Sequence, residues 1–150
     1  WRVDTNRDGA TDFGAQYGAA ADDTSTWLGG VADVAYRRTP PSRLLDTRAD
    51  GGAPVGAGKS IEVQVTGRGG VPSNATAAVL NVTVTGPAGA GHATVYPCGQ
   101  AVPTASNLNY VAGQTVPNLV VAGIGTGGKV CIYTKAAAHL IADVSGYHKN

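Results

Sequence analysis

The sequence contains no methionine, a single phenylalanine and two cysteines, and Asp, Glu, Lys and Arg make up only 14% of its 150 residues. Each shortage excludes something. A protein that binds nucleic acid through phosphates needs a concentrated basic surface. Here the formal net charge is +1, and Arg37-Arg38 is the one adjacent basic pair, so nucleic acid is not an expected partner. No apolar run approaches the roughly 20 residues of a membrane-spanning helix. Cys98 and Cys131 are too few to build a zinc site with each other. No stretch has the length of a crossover helix, which argues against an α/β fold. The chain begins at Trp1 without a signal peptide, and on this reading it is a mature or trimmed product whose export signal has gone.

What is abundant is Gly, at 22 residues, with Pro at 8 and long stretches of Val, Thr and Ala. These favour strands and turns over helices. Hydrophobic residues at 43% are enough for a core. Ser60–Thr66 alternates, with Ile61, Val63 and Val65 on one face and Glu62, Gln64 and Thr66 on the other. Ala78, Leu80, Val82 and Val84 share a face of the next candidate. Further candidates are Arg43–Thr47, His92–Cys98, Ser106–Val111, Asn118–Ala122, Lys129–Tyr133 and His139–Val144. With Gly/Pro turns between them, about eight short strands result. No threefold repeat suggests a trefoil, so an antiparallel β-sandwich is the expected fold. Both cysteines lie in strand-like runs. One intramolecular disulfide suits them, contributing roughly 3–4 kcal/mol by chain entropy, with two buried thiols as the alternative.

Arg37-Arg38-Thr39-Pro40-Pro41 reads as a boundary between residues 1–36 and a sandwich domain over 37–150, because consecutive prolines resist helix and central strand alike.

Several apparent catalytic motifs fail on context. Gly123–Gly128 matches G-x-G-x-x-G with Asp143 downstream, but a β-branched run follows where a helix N-terminus is required. It reads as a hairpin turn. Gly58-Lys59-Ser60 lacks the upstream glycine of a phosphate loop and is likewise followed by a strand. His92, His139 and His148 are the imidazoles, and no nucleophile elbow accompanies them. His139 and Asp143 can share a strand face, where a structural hydrogen bond is expected. Paired carboxylates suited to glycosidase chemistry are scarce after residue 50. The chain is therefore expected not to be an enzyme. Asn74 and Asn81 sit in glycosylation sequons, which carry no meaning if the source is bacterial.

Asp4-x-Asn6-x-Asp8-Gly9-x-x-Asp12 places alternate oxygen ligands around a turn, as a calcium loop does. An EF-hand would carry Glu where Ala15 stands. The segment resembles instead the calcium loops of FG-GAP β-propeller repeats, over about residues 1–18. That resemblance implies Asp4, Asn6, Asp8, the Ala10 carbonyl and Asp12 as calcium positions, with an acidic turn that holds no metal as the alternative. A second resemblance rests on Pro41-Ser42-Arg43-Leu44-Leu45-Asp46-Thr47-Arg48, on Ala78–Thr85, Ser106–Asn109 and Asn118–Val121, and on His139–Tyr147. Together these resemble an accessory domain of secreted actinobacterial proteins, often fused to FG-GAP repeats, proteases or cell-wall hydrolases. The resemblance implies a secreted, lectin-like domain adhering to cell-surface or cell-wall glycans, with galactose- or rhamnose-type sugars as first candidates.

Sugar sites combine planar polar groups with an aromatic face. Asp46, Arg48, Asn107, Asn109 and Asn118 offer the first, and Tyr110 and Tyr133 lead the second among Tyr96, Tyr110, Tyr133 and Tyr147. The structural alternative is explicit: Asp46 and Arg48 can pair with each other, and Asn107 and Asn109 can hold a bulge. Weak single-site affinity would make more than one site, or a homo-oligomer, useful for adhesion. A non-catalytic spacer supporting a neighbouring domain is the alternative function.

Overall fold

A computed structural model describes residues 35–49 and 52–150. The proposed calcium positions, Asp4 to Asp12, lie outside the described residues. Eight strands run through them: β1 (Ala35–Asp46), β2 (Lys59–Gln64), β3 (Ala75–Thr85), β4 (Gly91–Pro97), β5 (Leu108–Tyr110), β6 (Thr115–Gly123), β7 (Lys129–Thr134) and β8 (His139–Lys149). All pairings are antiparallel. One four-stranded sheet has the order β1-β8-β3-β6, and the other β2-β7-β4-β5.

The two orders explain each other. Except for β4 and β5, consecutive strands lie in opposite sheets, so the chain folds as arches that cross the sandwich rather than as hairpins. This is the strand order of a jelly roll, the doubly wound form of the β-sandwich. It corrects the hairpin reading of Gly123–Gly128. That turn carries the chain from β6 in one sheet to β7 in the other. Gly128 sits at φ +73°, and a Cβ there would collide with Thr66. The close approach lets the Gly128 carbonyl accept from the backbone N–H groups of Val65 and Thr66, both at 3.1 Å.

The run Arg37–Pro41, read as marking the start of a domain over 37–150, lies within β1, the first strand of the unit Ala35–Asn150. Edge strands tolerate proline where ladder bonding is interrupted, and the register of β1 on β8 shifts between Arg38 and Ser42, across those prolines. A second shift between Arg43 and Leu45 serves the core. Adjacent strand residues normally face opposite ways, but this bulge packs both leucines inward: Leu44 is buried and Leu45 rests against the same cluster.

The core is narrow and aliphatic. Val63 from β2, Leu80, Val82 and Val84 from β3, Val130 and Ile132 from β7, and Leu140 and Val144 from β8 are fully buried, as are Ala78, Ala93 and Ala142. The alternation anticipated for β2 and β3 is the one observed. Tyr110 enters the core from β5, with 4% of its surface exposed.

Charge divides the sandwich. No Asp, Glu, Lys or Arg occurs between Arg68 and Lys129, the interval that supplies β3, β4, β5 and β6. Sheet order places those four strands side by side, so charged β1, β8, β2 and β7 form one half and uncharged strands the other.

Cys98 and Cys131 form a disulfide with Cα atoms 5.0 Å apart. It joins β7 to the end of its sheet neighbour β4, where Tyr96 is the register partner of Cys131. The bond lies with Tyr96 and Tyr133 in a small cluster separate from the main core. Breaking it should therefore lower stability by roughly 3–4 kcal/mol, the loop-entropy value, without opening a core cavity. Chemical denaturation of a Cys98→Ser/Cys131→Ser variant measures this, and loss of the native fold would show that the bond holds more than a loop.

Candidate functional site

The side chains suggested by the sequence separate into three places. On the outer face of the first sheet, Asp46 accepts hydrogen bonds from Arg48 Nε at 2.9 Å and Arg48 Nη2 at 2.8 Å. Its Oδ1 also accepts the Arg48 backbone N–H at 3.0 Å. Arg43 bridges Asp46, through Nη1 at 2.8 Å, to Asp143, through Nε at 2.5 Å. Fork-shaped guanidinium groups suit such two-oxygen contacts. The side-chain bond from Arg48, then its backbone N–H, holds the Asp46 carboxyl well below the ordinary carboxylate range. Asp46 and Arg48 thus adopt the pairing that was the structural alternative.

His139 does not bond Asp143. Four residues along a strand span about 13 Å, and Arg43 occupies the carboxylate. His139 Nδ1 instead lies 3.1 Å from the Thr47 hydroxyl, which accepts the Leu140 N–H at 2.9 Å.

A second group secures the start of β5. The Asn107 side-chain oxygen accepts the Val95 N–H at 2.6 Å. Asn118, on β6, donates from Nδ2 to the Asn107 carbonyl at 2.5 Å. These two asparagines connect the sheets. Tyr110 is committed within the core: its hydroxyl lies 2.7 Å from Thr134 Oγ1, donates toward the His92 carbonyl at 3.2 Å and accepts the Ala136 N–H at 3.1 Å.

The third place is the outer face of the second sheet, and it brings Asn109 and Tyr133 together. Asn109 on β5 is the register partner of His92 on β4. The His92 ring then packs on Tyr133 of β7, with centroids 5.8 Å apart and planes inclined by 42°. Tyr133 is flanked in register by Ser60 and Thr94. Asn109 is exposed, whereas His92 and Tyr133 are half-buried. The Asn109 side-chain oxygen accepts from Ser106 Oγ at 3.0 Å, and its Nδ2 makes no hydrogen bond among the described residues. Beneath this face, Tyr96 donates to Ser60 Oγ at 2.9 Å, while Thr94 is held at 2.5 Å by the Ala105 carbonyl. His92 and Ser60 are not among the sugar-site residues suggested by the sequence. Their pairing with Tyr133 depends on strand register across β2, β7 and β4, which no local pattern encodes.

Among the described residues, the grouping of metal-ligating side chains is Glu62 with Cys98 and Cys131. Both sulfurs are engaged in the disulfide, and Glu62 is paired with Lys129 at 2.5 Å, so these groups do not form a thiolate site. No helix among the described residues is long and apolar enough to cross a membrane. A stable disulfide is compatible with an oxidising, extracellular setting.

No family model and no curated protein matches this sequence.

Two outcomes follow from these bonds. Tyr110→Phe should lower stability by about 1–3 kcal/mol, since it leaves buried partners unsatisfied; denaturant titration measures it, and a neutral result would contradict the core role. The depressed Asp46 group binds its proton less readily folded than unfolded. Its contribution is complete above the unfolded carboxylate range and is lost as pH falls through the folded value. An Asp46→Asn variant should accordingly show a shallower loss of stability on acidification, followed by thermal melts across acid pH.

Proposed function

We propose that this domain is an extracellular, non-catalytic carbohydrate-binding module, and that its sugar rests on the outer face of the second sheet over Tyr133, His92 and Asn109. The observation that carries this reading is the convergence of an aromatic face with the Asn109 Nδ2 group, which has no partner among the described residues. A pyranose has an apolar C–H face that covers a ring and hydroxyls that need fixed donors and acceptors. Tyr133 and His92 supply the first, and Asn109 with Ser60 the second. Asn109 and Ser60 are uncharged, which suits a neutral sugar. Galactose- or rhamnose-type sugars of cell-surface or cell-wall glycans are the first candidates, on the resemblance described above. The calcium proposal for Asp4, Asn6, Asp8, Ala10 and Asp12 rests on the sequence alone, and calorimetric titration of calcium into the full chain tests it.

One observation favours a second reading, a non-catalytic spacer in a multidomain protein. Asp46, Arg48, Asn107 and Asn118 are all engaged in bonds within the domain, as purely structural groups would be.

Titration with monosaccharides and wall glycans, followed by NMR, separates the two. Binding should be weak, about 0.1–1 mM, because few atoms are buried and each hydrogen bond replaces one to water. Shifts should centre on His92, Asn109 and Tyr133. Tyr133→Ala should abolish them and Asn109→Ala weaken them, whereas Asp46→Ala should alter stability only. Silence at about 10 mM of every sugar would leave the spacer reading in its place.

A further inference from the structure

Among the described residues, one edge of the sandwich is unguarded. Edge strands carry unpaired N–H and C=O groups, and proteins blunt them with charge, proline, bulges or brevity. Strand β1 has Arg37, Arg38, Pro40, Pro41 and two register shifts; β2 has Lys59 and Glu62; β5 is Leu108–Tyr110 alone. Strand β6, Thr-Val-Pro-Asn-Leu-Val-Val-Ala-Gly, has no charge, and its proline stands near its start.

The ladder to β3 shows which groups are free. At one end the Ile124 N–H donates to the Thr76 carbonyl at 2.9 Å, and at the other the Gly86 N–H donates to the Gln114 carbonyl at 3.1 Å. Both fall on the β3–β6 register. Antiparallel bonding alternates along a strand, so the even-numbered residues of β6 bond to β3. The N–H and C=O groups of Leu119, Val121 and Gly123 therefore point out of the sheet edge, as does the carbonyl of Pro117. No partner for them occurs among the described residues. The same two aliphatic side chains are exposed, Leu119 at 63% and Val121 at 62%. Val111, which follows β5 on the same side of the sandwich, is 57% exposed.

We propose that β6 is a self-association edge, at which two copies of this chain pair antiparallel about a two-fold axis through Val120. The strand is complementary to itself in that register. Leu119 faces the partner's Val121, so their outward N–H and C=O groups meet and their side chains form an aliphatic pair on one face. Pro117 falls opposite the partner's Gly123, where its carbonyl accepts the glycine N–H and the missing donor costs one bond per copy. No charge opposes the approach, because the whole β3–β6 half lacks Asp, Glu, Lys and Arg. The result is one continuous eight-stranded sheet with the isologous symmetry usual for dimers. This proposal does not depend on the sugar site.

Sedimentation equilibrium of the full chain from about 10 μM to about 1 mM should show a reversible rise from monomer to dimer mass. Amide exchange at Leu119 and Val121 should slow as concentration rises. Leu119→Lys or Val121→Glu alone should weaken association about tenfold or more with the thermal melt unchanged, since both side chains are exposed. Mixing the two variants should restore a dimer, because the introduced ammonium of one copy then faces the introduced carboxylate of the other. A monomer throughout the range overturns the proposal. A dimer that neither variant weakens, or a mixture that does not recover, also overturns it.

Discussion

Leu80 and Val82 of β3, Leu140 and Val144 of β8, and Val130 and Ile132 of β7 form the layer on which the sandwich depends. Strands that follow each other in the chain mostly lie in opposite sheets, so few local contacts can hold them. Each sheet is assembled from strands remote in sequence, and only apolar contact between the inner faces brings them into place. Burying side chains of this size contributes roughly 1.5–3 kcal/mol each. Past the ends of β2 and β7 the same ladder continues into the turn, where the Gly128 carbonyl accepts from Val65 and Thr66 and a Cβ on Gly128 would strike Thr66.

Once the layers are fixed, polar groups are sorted by the face they occupy. The outer face of β1 and β8 gathers arginine and aspartate into a mutually saturated network. Groups so well paired have little left to offer a ligand. The outer face of β4 and β5 carries no Asp, Glu, Lys or Arg; there the His92 ring packs on Tyr133 of β7, and the disulfide clusters with Tyr96 and Tyr133. The two surfaces proposed for binding lie on different sheets: the sugar face lies across one sheet, and the pairing edge lies at the side of the other. Two copies joined at β6 would present two sugar faces, and avidity would then compensate for weak single-site affinity.

Local chemistry made much of the fold legible. The two-residue alternation of Ser60–Thr66 and Ala78–Thr85 announces half-buried strands, because strand side chains alternate by geometry. The punctuation by Gly and Pro separates about eight of them, and two cysteines in strand-like runs admit the disulfide. Pro40-Pro41 resists a central strand, and it stands on edge strand β1 beside a register shift, where proline is tolerated. Gly123–Gly128 was rightly a turn but not a hairpin turn, because turn chemistry does not reveal which sheet the next strand will join.

What the amino-acid sequence determined by itself was therefore the set of strands, their inward faces and the absence of charge from the middle of the chain, all properties of a residue and its near neighbours. Tertiary structure decided the pairing. It placed Asp46 within reach of both Arg43 and Arg48, buried Tyr110 and set Asn109 beside His92 and Tyr133. It also left β6 at an edge. The reason is register: residues that meet across a sheet or between sheets are separated by long stretches of chain, and only burial of the common core selects which of them become neighbours.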